Sequence, residues 1–227
     1  MKFKKWFWLE EEDLLVRLKK YSKYRLILGF LSIFGFVVSI FWLWQKTEFS
    51  AKVKFVDDFF ILQMNFLRTP LLYNLFSIIT YFGSAYLIIG FFLIFSFYMI
   101  IKRRKRIAAV SFFCLTGSFI FIMLLKGFFG RARPTGCIYP NDCYSFPSGH
   151  STLAFYFYGL LNYLILRYKP MKTKYHILIT CGLIGIVGLV ALSRVALSVH
   201  FPSDIIAGFF LGCAWLSLTV LLIDILY

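Results

Sequence analysis

Three short segments hold most of the histidine and arginine that this chain carries outside its basic loops: residues 126–134 read KGFFGRARP, 147–150 read PSGH and 193–204 read SRVALSVHFPSD. Opening a phosphate ester takes cations and amide donors around the oxygens, a nucleophile in line with the leaving oxygen, and an acid to protonate that oxygen. All of these residue types are present here. Phosphoryl transfer is the chemistry they point to.

Each member also carries a plainer reading. Lys126, Arg131 and Arg133 follow an apolar run, and any one of them alone reads as an interfacial cation snorkelling to water. Three within eight residues, ending in Arg-Pro, favour an anion site. Arg133 offers the planar fork that grips two phosphate oxygens, whereas Arg131 reads equally as a loop cation. In the second segment Ser148 suits a helix cap and Gly149 lets backbone approach an anion at the positive helix end. His150 at that turn reads as a general acid, or as an ordinary polar residue at a helix start. In the third, Arg194 ends an apolar run, His200 sits in the connection, and Asp204 follows Pro202 into the next run. A carboxylate at a membrane boundary is costly. The expectation is that Asp204 accepts a hydrogen bond from one His200 ring nitrogen and leaves the other as nucleophile; the alternative is a helix-start aspartate favoured by the dipole. With three histidines, one of them His176 in a basic loop, no set reaches the usual three or four metal ligands, so metal-independent chemistry without a cofactor is expected.

The elements that must position these residues are membrane helices. The chain has 227 residues, 60% hydrophobic and only 15% charged, which excludes an ordinary soluble domain. The net charge of +15 is gathered beside apolar runs, so it speaks of membrane orientation rather than nucleic acid. Candidate spans are 26–44, 84–101, 107–125, 152–166, 177–197 and 205–226, giving an all-α polytopic bundle of about six transmembrane helices. The basic stretches 2–25, 102–106 and 167–174 then face the cytoplasm, together with both termini, and all three motif segments fall on the opposite side. Residues 1–25 read as a cytoplasmic amphipathic segment and 26–227 as one domain; no cleavable signal peptide is expected. Between them, 71–82 reads as a shallow helix broken at Gly83, preceded by an amphipathic helix whose Phe55, Phe59, Leu62 and Phe66 rest at the outer interface. Cys114, Cys181 and Cys213 fall in apolar runs as expected buried thiols, whereas Cys137 and Cys143 share a polar loop, as a disulfide or as two free thiols.

Lys126, then Arg133-Pro134 after six residues, then PSGH, then Ser-Arg, five residues, His200, three residues and Asp204 resemble the three-part signature of the type 2 phosphatidic acid phosphatase (PAP2) superfamily. Length and span pattern are similar to its bacterial membrane members of the phosphatidylglycerophosphatase B type. The resemblance covers about residue 55 to the C-terminus. It implies His200 as a nucleophile forming a phosphohistidine, Asp204 as its orienting partner, and His150 as the acid for the leaving group. Lys126, Arg133, Ser148, Gly149 and Arg194 would hold the phosphate oxygens. The implied activity is hydrolysis of a lipid phosphate or diphosphate ester at the outer leaflet of a bacterial plasma membrane, on undecaprenyl diphosphate, phosphatidylglycerophosphate or phosphatidic acid. A lipid phosphotransferase with the same chemistry and a non-enzymatic lipid-binding protein are the alternatives.

Overall fold

The computed structural model describes residues 27–40, 48–67, 69–134, 144–169 and 171–226. The N-terminal segment, the end of the first expected span and the Cys137 and Cys143 pair lie outside them. The described residues form eight α-helices: α1 Ile27–Ile40, α2 Glu48–Gln63, α3 Pro70–Thr80, α4 Ala85–Ile101, α5 Lys105–Phe129, α6 Gly149–Tyr168, α7 Thr173–Ala196 and α8 Pro202–Leu226.

Three of these, α5, α7 and α8, are long and apolar enough to cross a bilayer, and α3 with α4 passes as a bent pair. At 25 residues α5 is roughly 37 Å long, against about 30 Å of hydrocarbon. Of the other two expected spans, α1 is described over 27–40 only, and the rest of that span lies outside the described residues. α6 carries Ser151, Thr152, Tyr156, Tyr158, Asn162 and Tyr163, because it is the central helix and its side chains meet other helices rather than lipid. Tyr156 shows this: it is fully buried, donates to the Ser111 carbonyl of α5 (3.0 Å) and accepts from Thr219 of α8 (3.2 Å).

Inside a bilayer, lipid is as apolar as leucine, so helices associate through close packing rather than through the hydrophobic effect. α6 and α8 meet most extensively, and Gly208 and Gly212 are the reason. A Cβ at Gly208 would stand 2.8 Å from the Ser148 carbonyl oxygen, and one at Gly212 would stand 2.7 Å from that of Thr152. Nothing larger than glycine fits this seam.

The break at Gly83 is where the sequence places it. Thr69 caps α3 with Pro70 at its first position, and α3 ends in a 3₁₀ turn, Tyr81–Gly83. Ser84 then accepts the Leu87 N–H and starts α4 at 42° to α3. The Phe82 carbonyl freed by the break accepts the Tyr158 hydroxyl (2.9 Å). Of the three cysteines in apolar runs, Cys114 is buried, Cys213 half-buried and Cys181 exposed, since α7 leaves most of its surface uncovered.

α2 is inside out by soluble standards. Phe55, Phe59 and Leu62 are exposed, as is Phe66 in the 3₁₀ turn Met64–Leu67 that follows, whereas Asp57 is 1% exposed. At the end of the bundle where α4 meets α5 and α6 meets α7, the two basic turns touch, with the Arg104 guanidinium 3.6 Å above the Tyr168 ring. The three motif segments occupy the other end.

Candidate active site

α5 stops at Gly130, whose left-handed conformation (φ 56°) reverses the chain and returns an N–H to the Lys126 carbonyl. Lys126, in the last turn, donates through Nζ to the Tyr144 carbonyl (2.8 Å). Ala132 pairs with Tyr144 in an antiparallel bridge, and the Ser145 N–H donates to the Arg131 carbonyl (2.8 Å). Extended backbone puts residues i and i+2 on one face. Arg131 and Arg133 accordingly both reach the α7–α8 turn.

They do different things there. Arg133, 5% exposed, donates Nη1 to the Val199 carbonyl (2.9 Å) and stands 3.4 Å from His200 Nε2. With Arg133 as donor, Nε2 is the acceptor nitrogen, which puts the ring proton on Nδ1, the side of Asp204. Arg131 instead turns back to carboxylates: Nη2 donates to Asp57 Oδ2 (2.7 Å), and Nη1 donates to Asp204 Oδ1 and to Ser203 Oγ (2.8 Å).

The α7–α8 turn is held from within. Val199 and His200 both donate their N–H to the Arg194 carbonyl (3.1 and 3.3 Å), after Ser198 at a positive φ of 54°. Asp204 lies three residues past Phe201, and its Oδ2 accepts the Phe201 N–H (2.9 Å), the return bond of a capping box. Here the structure departs from the expected histidine–aspartate hydrogen bond: His200 Nδ1 is 3.6 Å from Asp204 Oδ2 and has no hydrogen-bond partner. The carboxylate is engaged by Phe201 and Arg131 and faces the imidazole as a neighbouring charge.

α6 begins beside this turn. Ser148 caps it, accepting the Ser151 N–H (3.4 Å), and its own N–H donates to the Asp204 carbonyl (3.1 Å). The glycine seam below presses that cap onto α8, which is how residues 56 positions apart come to share a hydrogen bond.

Lys126, Arg133, Gly149, His150 and His200 line one cavity of about 1020 Å³. One wall is the hydroxyl stripe of α3, Tyr73, Ser77 and Thr80; another is apolar, with Ile89 of α4 and Phe119, Ile122 and Met123 of α5. A volume of this size takes a polar headgroup and the start of a hydrocarbon chain. The other expected site residues stand behind the lining. Ser148 and Asp204 are fully buried, and Arg194, 7% exposed, donates Nη1 to Thr80 Oγ1 (2.7 Å) on the cavity wall. Burial, with Arg194, Arg133 and Lys126 around it, holds the His200 imidazole well below the ordinary histidine range. It is neutral at pH 7, the form in which an imidazole nitrogen carries a free lone pair.

Asp57 and Ser203 escaped sequence reasoning. Ser203 donates Oγ to Asp57 Oδ2 (2.5 Å) and its N–H to Asp57 Oδ1 (3.0 Å), so α2 is bolted to the start of α8. A carboxylate on a helix of outward phenylalanines was the available signal, since such a group needs a buried partner.

Comparison with known proteins bears on the family and the fold. The model of the PAP2 superfamily matches residues 107–225. Phosphatidylglycerophosphatase B of Bacillus subtilis is 29% identical over 149 residues, 64% of this chain and 72% of that protein. Lipid A 1-phosphatase of Rhizobium johnstonii is 34% identical over 123 residues, 49% of this chain and 46% of that one. Among solved structures, the transmembrane PAP2-type phosphatidylglycerolphosphate phosphatase from Bacillus subtilis superimposes with a TM-score of 0.74 at 23% identity, covering 84% of this chain and 93% of that one. LpxE of Aquifex aeolicus gives a TM-score of 0.53 at 25% identity, over 75% and 94%.

Proposed function

This chain belongs to the PAP2 superfamily and is a lipid phosphatase of the membrane, and we propose that it hydrolyses a lipid phosphate or diphosphate ester through a phosphohistidine on His200. The observation that carries the mechanism is convergence: two histidines, a lysine, an arginine and a helix-start glycine from three distant segments line one cavity with an apolar wall.

In the first step His200 Nε2 attacks phosphorus, the bond from phosphorus to the ester oxygen breaks, and His150, which burial and the surrounding cations hold well below the ordinary histidine range until a phosphate brings negative charge beside it, gives its proton to the leaving oxygen. Lys126, Arg133 and the backbone at Gly149 hold the three remaining oxygens, with Ser148 and Arg194 fixing that frame from behind. In the second step water attacks phosphorus, His150 takes its proton, and the nitrogen–phosphorus bond breaks to release phosphate. Asp204 faces the imidazole as a negative charge that offsets the positive charge the ring takes on.

The two basic turns meet at the end opposite the cavity, which supports six spans with both termini in the cytoplasm and the active site at the outer leaflet. Phosphatidylglycerophosphate, phosphatidic acid and undecaprenyl diphosphate all fit a phosphate site with an apolar wall.

The test is phosphate release by the purified protein in detergent, with a chelator present and no acceptor added, across these three lipids and a water-soluble phosphate ester. Release from a lipid, lost by about 10⁴-fold in a folded His200→Ala protein, is the expected result. Turnover retained by His200→Ala would overturn the nucleophile, and transfer only to an added lipid or sugar would overturn hydrolysis.

A further inference from the structure

We propose that Asp57, on α2 and outside the segment matched by the family model, is a positioning residue for phosphoryl transfer: by sharing the Arg131 guanidinium with Asp204, it leaves Asp204 charged toward His200. The inference rests on the phosphohistidine reading above.

Arg131 stands between two carboxylates whose side chains are 2% and 0% exposed, and its guanidinium lies 4.3 Å over the Phe201 ring. With both carboxylates ionised, two of them against one guanidinium leave one negative charge in excess. Were Asp57 neutral, Arg131 would close the charge of Asp204 by itself. That difference matters at His200. When Nε2 bonds to phosphorus the ring becomes cationic, with Nδ1–H on the side of Asp204 Oδ2.

The other charged or titratable groups that face His200 are Lys126 of α5, Arg133 of the loop after it, His150 of α6 and Arg194 of α7. Lys126, Arg133 and Arg194 are cations that oppose a further positive charge at His200, and burial with those same cations holds His150 well below the ordinary histidine range. Asp204 supplies the opposing charge directly, and Asp57 supplies it from behind by engaging Arg131. The geometry is specific: Asp57 uses both oxygens, Oδ1 on the Ser203 N–H and Oδ2 on Ser203 Oγ and Arg131, so it also sets the start of α8 that carries Asp204.

The test uses the full-length protein in detergent and compares wild type, Asp57→Asn and Asp57→Glu. It reads kcat and KM on a lipid phosphate, together with the affinities for orthovanadate, which mimics the five-coordinate transition state, and for inorganic phosphate, which does not. Asp57→Asn should lower kcat about tenfold to a hundredfold with KM within about twofold. Vanadate affinity should fall with kcat while phosphate affinity stays, and Asp57→Glu should recover part of both. Wild-type kcat and vanadate affinity in Asp57→Asn would overturn the proposal. So would parallel loss of vanadate, phosphate and folded protein without recovery in Asp57→Glu, which describes a merely structural carboxylate. Turnover surviving in His200→Ala would instead sink the phosphohistidine reading, and this inference with it.

Discussion

α8 carries an aspartate near each end, and each is held by an arginine. At the cavity end Asp204 shares Arg131 with Asp57, beside His200. At the far end Asp224 pairs with Arg167 and accepts the Tyr163 hydroxyl (2.6 Å). Among the described residues the far pair sets one carboxylate against one guanidinium beside tyrosines, whereas the cavity cluster sets two carboxylates against one guanidinium beside an imidazole. A matched pair holds helices together. An unmatched one projects charge, and that charge is what the proposed nucleophile would require on turning cationic.

The contrast can be broken most sharply with the same substitution at both ends. Asp204→Asn should lower kcat by about 10² to 10³ with the protein still folded. Asp224→Asn should leave kcat within about twofold and cost about 3 kcal/mol of stability in a denaturation curve. Equal kinetic losses at both ends would erase the distinction.

The pH profile sharpens it further. Since His200 is held below the ordinary histidine value, its nucleophilic form persists as pH falls through about 6.5, so the acid limb of kcat/KM should lie below that value. The same shift acts on the fold with a definite sign. Below about pH 6.5 the unfolded chain takes up a proton that the folded chain refuses until lower pH, so stability falls as pH drops through that window. An acid limb centred above 6.5 would contradict the surroundings described for His200.

The smallest effect is expected along the seam between the two ends. Gly212→Ala meets the Thr152 carbonyl and should cost about 1 to 3 kcal/mol in the thermal or denaturant midpoint with little change in kcat. Gly208→Ala meets the Ser148 carbonyl, at the cap that carries Gly149 and His150, and should lower kcat as well. If the two glycines behave alike in kinetics, the cap is not transmitting the seam's geometry to the site.

Much of this was readable because it is local. The apolar runs, the cap at Ser148, the break at Gly83 and the order of the three motifs are written in neighbouring residues, and the structure places each near its expected position. The charge pairing was harder. Arg131 reads as a spare loop cation until Asp57 is brought to it from 74 positions away. Nothing adjacent in sequence tells Asp57 from Asp58, yet one is buried and the other exposed. The histidine–aspartate spacing was legible too, but their hydrogen bond was not: it depends on Phe201 and Arg131 having engaged the carboxylate first.

The length of α8 has a further consequence. At 1.5 Å per residue, Asp204 and Asp224 stand roughly 30 Å apart, the thickness of the hydrocarbon layer itself. A span upright in such a layer would set both ion clusters where lipid tails give way to headgroups, and the helix would work as a depth gauge. In a thinner bilayer the protein has to tilt or draw the lipid up around it, and either response strains the end that carries the chemistry. Turnover in vesicles should therefore follow acyl-chain length even for a substrate whose own tails are kept constant.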